Sequence, residues 1–253
     1  MNLKIIKKNI STLLILCLLF STKHILALSG EDIMNKNDDL PKPKTTKGYS
    51  ILIIIKGGNQ ERKEFKILGK KYGLKTRLRI SFVKPTKIEL LTHSQYGKDD
   101  LQWLKLSSGT VRKIASSDKN SSFVNSHFYY EDIGDKDVDD FSYEYLDDTS
   151  VDDEPCYKVK AVKKKGTKVY SKQIIYVKKS NFVILRVHFY ENGIHTKTLR
   201  NEKIEIINGI YTPKKVVMEK YKNGKLLGKS LLYIKSIQYN IGVSDQLLKR
   251  ESL

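Results

Sequence analysis

The chain has 253 residues, with 47 Lys and Arg against 28 Asp and Glu, which gives a formal charge of +19. This length suits one large β domain or two small ones. The cysteine content excludes a disulfide-rich scaffold, because Cys17 lies in the N-terminal segment described next and Cys156 is then left without an internal partner.

The N-terminus predicts an export signal over residues 1–29, because lysines, a short apolar run and small residues follow one another there. Their positions are Lys4, Lys7 and Lys8, then 13–20, then 27–30. We expect cleavage after Ala27 or Ser29, which leaves residues 30–253 as a single domain. A retained membrane anchor is the alternative, and no small residue precedes Cys17 as a lipid-anchoring cysteine would require.

Charge is uneven along the chain. Between Glu131 and Glu154 there are 12 acidic residues and one base, Lys136. The rest is strongly basic, and such a surface favours anionic lipid headgroups or nucleic acid. Export makes nucleic acid the poorer partner, and no RNP-like or helix-turn-helix pattern is present.

In chain order, the sequence predicts a short helix around Glu31 to Asn37 and then strands, whose apolar residues alternate with polar ones. Asn-Gly pairs between strand-like segments favour type I′ turns, so the second half is a series of hairpins. We expect a mainly β fold of about ten or eleven strands, forming one curved antiparallel sheet or open barrel. The strand segments are Tyr49–Ile55, Glu61–Lys70, Leu78–Phe82, Ile88–His93, Leu101–Leu106, Tyr157–Ala161, Val169–Lys178, Val183–Phe189, Ile194–Arg200, Ile210–Tyr221 and Lys225–Ile237.

The middle stretch, from Ser121 to Asp148, breaks the strand pattern. We expect an irregular crossing segment with buried aromatic anchors in its first half and a surface loop in its acidic half. Asp135, Asp137 and Asp139 have the first spacings of a calcium loop, but the glycine and the final glutamate of that motif are missing. A solvated acidic loop is therefore the better interpretation of these aspartates.

No catalytic set is visible in the sequence. The histidines after the signal have no metal-ligand spacing, and they are His93, His127, His188 and His195. There is no nucleophile elbow, and Cys156 is a lone cysteine on a predicted strand. We expect no enzyme activity, no metal and no cofactor. A lipid-cleaving enzyme, dependent on a single Ser, His or Cys, is a rival hypothesis.

Several segments resemble one known family. They are Asp100–Leu106, Val111–Ile114, Ser122–Ile133 and Tyr239–Leu248, and their order and spacing agree with it from about Gly48 to Leu253. The chain is similar to the outer-membrane lipoprotein-sorting proteins with a LolA-like domain. Asn125 and His127 stand where that family usually has glycine and aspartate. The resemblance implies an incomplete antiparallel barrel, with short helices as a lid over an apolar cavity for acyl chains, and a periplasmic location.

On this basis we expect a carrier that binds acyl chains of a lipid or lipoprotein, with an inner-membrane transporter as a possible further partner. An accessory protein that docks on an envelope transporter is the alternative. The residues expected to line the cavity are Leu78, Ile80, Phe82, Trp103, Val183, Leu185, Val187 and Phe189, and the residues expected in the lid are Phe123, Phe128 and Tyr130.

Overall fold

The computed structural model describes residues 28–134 and 136–253. Nearly all of the predicted signal, 1–29, lies outside the described residues, as does Asp135 of the calcium-like spacing. Among the helices described over these ranges, none has the length and apolar character needed to cross a membrane.

The described chain begins with helix α1, Gly30–Asp38, which confirms the predicted short helix. Ser29 caps it, because its Oγ accepts from the Asp32 amide at 3.0 Å while the Asp32 carboxylate accepts from the Ser29 amide at 2.9 Å. Ile33 and Met34 are buried beneath the helix. Gly30 allows this close approach, since a Cβ there would lie 2.7 Å from the Tyr145 amide nitrogen.

One antiparallel sheet of 13 strands forms the rest of the fold, in the order β6-β5-β4-β3-β2-β1-β13-β12-β11-β10-β9-β8-β7. It is mainly a meander, in which β1 also pairs with β13. The strands are β1 Thr45–Lys56, β2 Asn59–Tyr72, β3 Lys75–Lys84, β4 Glu89–His93, β5 Leu101–Lys105, β6 Val111–Lys113, β7 Phe141–Val151, β8 Glu154–Lys163, β9 Lys172–Lys178, β10 Ile184–Glu191, β11 Ile194–Ile207, β12 Ile210–Lys222 and β13 Lys225–Tyr239.

The predicted Asn-Gly turns are confirmed. Both residues of each pair have positive φ, for example 51° at Asn223 and 73° at Gly224. Asparagine and glycine adopt this conformation with little strain, so the turn residues fix the register of three hairpins.

The predicted strand count was too low, and the acidic half of the middle stretch is not only a loop. The two strands missed are β6 and β7, and β7 lies inside the acidic block. Its acids form pairs with lysines, such as Glu144 with Lys160 at 2.7 Å and Asp148 with Lys179 at 2.5 Å. β7 was missed because its exposed edge carries charge where a buried strand would show alternation.

The sheet is open, because β6 and β7 form its two edges. We call the face that carries the main core the inner face and the opposite one the outer face. The crossing segment, residues 114–134 and 136–140, connects the two edge strands over the inner face and includes short 3₁₀ turns at Phe123–Asn125 and Tyr130–Asp132. On the outer face, Arg79 donates to the carbonyl oxygens of Leu247 and Ser252 and so holds the C-terminal tail.

Candidate functional site

An apolar cavity of about 220 Å³ lies on the inner face, between α1, the crossing segment and strands β7 to β11. Asp132, Asn37 and Gln173 are among its few polar residues. Cavities of this composition suit apolar ligands. Most of its wall is apolar or aromatic, from Met34, Val138, Phe141, Tyr143, Ala161, Tyr170, Ile175, Ile184, Val187, Phe189 and Leu199.

The other half of the inner face is filled by aromatic residues of the crossing segment. The ring of Phe123 lies 5.7 Å from that of Phe82 on β3 and 5.7 Å from that of Tyr130. Phe128 is also buried in this cluster, so all three residues predicted for the lid lie in the core. The segment is therefore an aromatic plug over β1 to β5.

The first turn of the plug has an unusual backbone. Val124 has φ 45° and Asn125 has φ 64°, both in the left-handed region. This conformation is common for asparagine but costly for a β-branched residue. Asn125 Oδ1 accepts a hydrogen bond from Lys56 Nζ at 2.8 Å, which attaches the turn to the end of β1.

A histidine attaches the next part of the segment to β13. The backbone amide of His127 donates to Ser230 Oγ at 3.0 Å, and His127 Nδ1 lies 2.8 Å from the same oxygen. Burial favours the neutral imidazole, in which an unprotonated Nδ1 accepts from the Ser230 hydroxyl while Ser230 Oγ accepts from the amide. Burial, with the neighbouring Lys56 and Lys220 charges, lowers the pKa of His127 to about 4.

A buried lysine attaches the part of the crossing segment around Asp132 to the sheet. Lys197 on β11 is 0% exposed, and its Nζ lies 2.5 Å from Asp132 Oδ2 and 2.8 Å from Tyr170 Oη. The same nitrogen lies 3.7 Å from the centre of the Tyr129 ring. Burial lowers the pKa of Lys197, and the Asp132 carboxylate opposes that shift. The pair binds the crossing segment to the sheet at the edge of the cavity.

A buried glutamine completes the attachment. Gln102 Nε2 donates to the carbonyl oxygens of Tyr130 at 3.1 Å and Ile133 at 2.8 Å, and its Oε1 accepts from Lys119 Nζ at 2.7 Å. These bonds satisfy backbone groups that the irregular segment cannot pair within itself. Polar contacts thus position the lid on an otherwise apolar face.

Five of the eight residues expected to line the cavity lie on the inner face, but they are not all together. Val187 and Phe189 line the 220 Å³ cavity. Ile80 and Phe82 pack beneath the aromatic plug, and Leu78 lines a separate pocket of about 380 Å³ between β1 and β4.

The other three, Trp103, Val183 and Leu185, lie on the outer face, and for them the predicted position was wrong. Trp103 packs against the ring of His93 at 5.0 Å, because its neighbours on β5 take the inner positions. In β10, the register shifts between Ile184 and Arg186, so Leu185 is an extra residue in the ladder. This bulge reverses the alternation that the sequence pattern assumed.

A larger outer-face groove, of about 870 Å³, lies under the C-terminal tail. Its wall mixes lysines with Arg79, Glu89 and Tyr49. It lacks the continuous apolar lining of the inner cavity, so we assign the candidate site to the inner face.

Sequence reasoning did not identify Lys197, Gln102 or Met34 as residues of this region. Lys197 and Gln102 are polar residues at inner-face positions of strands, where polarity predicts exposure. Asp132 links the crossing segment to Lys197, because its carboxylate accepts from the Tyr129 amide at 2.7 Å in addition to binding Lys197.

Comparison with known proteins supports the fold. A family model for a group of uncharacterized proteins matches residues 76–253. Among solved structures, a DUF1329 family protein from Desulfovibrio piger has a TM-score of 0.84 at 27% identity, covering 88% of this chain and 97% of its own. No curated protein matches the chain.

Two further structures share the fold. An outer membrane lipoprotein-sorting protein domain from Vibrio parahaemolyticus has a TM-score of 0.82 at 19% identity, with 88% of this chain and 97% of that one covered. A LolA superfamily protein from Nitrosomonas europaea has a TM-score of 0.71 at 18% identity, with 90% and 100% covered. The family model covers more than half of the chain, so the chain belongs to that family of uncharacterized proteins. The expected resemblance to LolA-like proteins is therefore confirmed for the fold, and the fold class is an open antiparallel sheet of 13 strands.

Proposed function

We propose that this protein is a periplasmic carrier that shelters the acyl chains of a lipid or lipoprotein on its inner face, without catalysis. The observation that supports this most directly is the apolar cavity beneath α1, whose walls belong to the same hydrophobic core as the inner-face residues under the plug. Export through the N-terminal segment would place the carrier between the two membranes.

The size of the cavity indicates how a ligand would enter. Its volume of about 220 Å³ is below the roughly 300–1,000 Å³ of usual ligand sites. A long acyl chain therefore needs additional space, which displacement of α1 or of the crossing segment would provide. The carrier would be closed when empty and open when loaded.

The free energy gained by burying an acyl chain can exceed the free energy of the contacts that hold the lid. Burial of an acyl chain contributes about 0.8 kcal/mol per methylene, so about ten buried methylenes would contribute about 8 kcal/mol. Each polar attachment of the lid contributes a net of about 1 kcal/mol, or up to about 3 kcal/mol where a charge is involved. A long chain could then displace the lid, whereas a short one could not.

The test is to fill the cavity without adding polarity. Ala161 on β8 lines it and is buried, so Ala161→Leu should reduce the affinity for a fluorescent fatty acyl probe by about tenfold or more. Val162→Leu is the matched control, because alternation places that side chain on the opposite face of the same strand. Unchanged affinity in a folded Ala161→Leu protein would contradict the proposal.

A second measurement identifies the cargo. Native mass spectrometry of protein purified from the periplasm without detergent should show a bound acyl lipid or acylated protein. If the protein is empty and also takes up no acyl probe, the carrier function is wrong and docking on an envelope transporter becomes the better hypothesis.

A further inference from the structure

Three neighbouring hairpin turns lie together at one end of the sheet. They are Lys56–Asn59, Glu191–Ile194 and Lys222–Lys225. Pairing of Lys56 with Gly228 and of Lys197 with Lys220 brings these turns side by side, because the strands concerned are adjacent in the sheet. We call this group the hairpin end.

The hairpin end exposes aliphatic side chains. Ile194 is 63% exposed, Leu226 is 52% exposed and Leu227 is 48% exposed. These residues lie at or directly after two of the three turns, where a polar side chain would be equally compatible with the fold. Single exposed aliphatics need no explanation, but these three lie at adjacent turns and give this end of the sheet an apolar rim, which we call the patch.

Lysines surround this patch. Lys222 and Lys225 are exposed beside the turn, and Lys229 lies just beyond it. In the part of the chain that the structure describes, no carboxylate lies within ion-pair distance of these three lysines, whereas Lys63 nearby is neutralised by Glu61. None of the three lysines is therefore held in a direct ion pair that an anionic partner would have to displace.

We propose that the hairpin end docks on the surface of an anionic lipid bilayer. Aliphatic side chains would enter the interface while the lysines contact lipid phosphates, a combination that suits a membrane better than either feature alone. The hairpin end also adjoins the lid, since Lys56 binds Asn125 and a Cβ at Gly228 would lie 2.8 Å from His127 Nε2. Docking would place the lid beside the bilayer.

The test measures flotation of the mature protein with vesicles of about three parts phosphatidylcholine to one part phosphatidylglycerol. The wild type should bind these vesicles and should bind pure phosphatidylcholine vesicles at least about tenfold more weakly. Changing Lys222, Lys225 and Lys229 to Gln should lower the affinity for the anionic vesicles by up to about a hundredfold, at roughly fivefold per lysine. Changing Ile194, Leu226 and Leu227 to Ser should lower binding by at least about tenfold.

The opposite end of the sheet provides the matched control. Leu74 is 67% exposed and Ile206 is 64% exposed, on turns that β1 and β13 separate. Leu74→Ser with Ile206→Ser should leave vesicle binding within about twofold. The proposal would be overturned if the variants at the two ends of the sheet lost vesicle binding equally, or if the Ile194, Leu226 and Leu227 variant bound vesicles as the wild type does. It would also be overturned if the wild type bound an acidic protein but not vesicles.

Docking and cargo binding are separable by measurement. The hairpin-end variants should keep the wild-type affinity for the fluorescent acyl probe in vesicle-free solution. Loss of vesicle binding with retained probe binding supports docking even if the natural cargo proves different. Circular dichroism melting checks that each variant is folded, and a folded variant that loses both vesicle binding and probe binding would contradict the separation of the two functions. The single variants Leu227→Ser and Lys225→Gln should each show a smaller loss of vesicle binding.

Discussion

Lys197 is the one fully buried charge among the large side chains of the described core. It is tolerated because Asp132 and Tyr170 satisfy its ammonium group and the Tyr129 ring covers it. Placing two ions in an apolar site carries a large desolvation cost, so the pair itself adds little net stability. Its importance lies in what happens when one partner is removed, because the other is then a buried charge without compensation.

We therefore predict that Lys197→Met lowers the free energy of unfolding by about 3–5 kcal/mol. Asp132→Asn should have a similar effect, and the double variant should lose clearly less than the sum of the two, since neither charge remains. Urea unfolding gives these values. Lys160→Met is the control, because it removes only the exposed pair with Glu144 and should cost under about 1 kcal/mol. Strict additivity would mean that the two side chains are not coupled.

The sequence could not predict this pair. Asp132 and Lys197 are 65 residues apart, and a lysine on a strand normally indicates a solvated face. Gln102 misleads in the same way, since its buried amide takes an inner position on β5 and so sends Trp103 to the outer face. By contrast, the expected burial of Phe123, Phe128 and Tyr130 agrees with the structure, because large aromatic side chains in an irregular segment have few places to go except the core.

The crossing segment is the element that controls access to the inner face. Its polar attachments include one that titrates, the neutral His127 bound to Ser230. The pKa of His127 is about 4, below its ordinary value of 6.5. As pH falls, the unfolded or detached state takes up the proton first, so the stability that this attachment contributes is present above pH 6.5 and is lost between 6.5 and about 4.

We predict that acidification weakens the lid through His127. Between about pH 7.5 and about pH 4.5, His127→Gln should reduce the loss of unfolding free energy by about 1–3 kcal/mol relative to wild type. We also expect acid to accelerate acyl probe uptake by the wild type, and His127→Gln should remove that acceleration. His188 is the matched comparison, because its pKa is also lowered to about 4 by burial but its side chain lies on the outer face.

His188→Gln should therefore flatten the pH dependence of stability while leaving the acid-accelerated uptake unchanged. Stopped-flow fluorescence with the acyl probe measures the uptake rate for each variant. If His127→Gln and His188→Gln change the uptake in the same way, the acid effect acts on the whole fold and not on the lid.

At the scale of the whole molecule, an open sheet has two edges that must be kept from pairing with other chains. The alternation and the Asn-Gly turns predicted this curved antiparallel sheet, because turn chemistry and period-two patterns act locally. They could not predict β7, whose edge residues are selected against pairing and so do not look like a strand. The bulges in β7 and β10 were equally invisible, since a bulge depends on how a neighbouring strand is placed.

The charge on β7 should then protect the molecule from association. Tyr145 and Leu146 are exposed on this edge, and Glu144, Asp147 and Asp148 flank them. With these three acids changed to Thr, the edge gains β-propensity and loses its repulsion between copies, so two β7 strands could pair across a dimer. Sedimentation velocity should show a concentration-dependent shift from monomer to dimer in this variant.

The matched control changes the exposed Glu205 on β11, an interior strand of the sheet, to Thr. It removes an acid and adds β-propensity away from either edge, so the protein should sediment as the wild type does. Dimerisation of the β7 variant should also fall when Tyr145 is changed to Pro, which cannot donate to a ladder between strands. If the β7 variant stays monomeric at high concentration, the acids on this edge do not prevent association. Their role would then be the ion pairs that Glu144 and Asp148 form with Lys160 and Lys179.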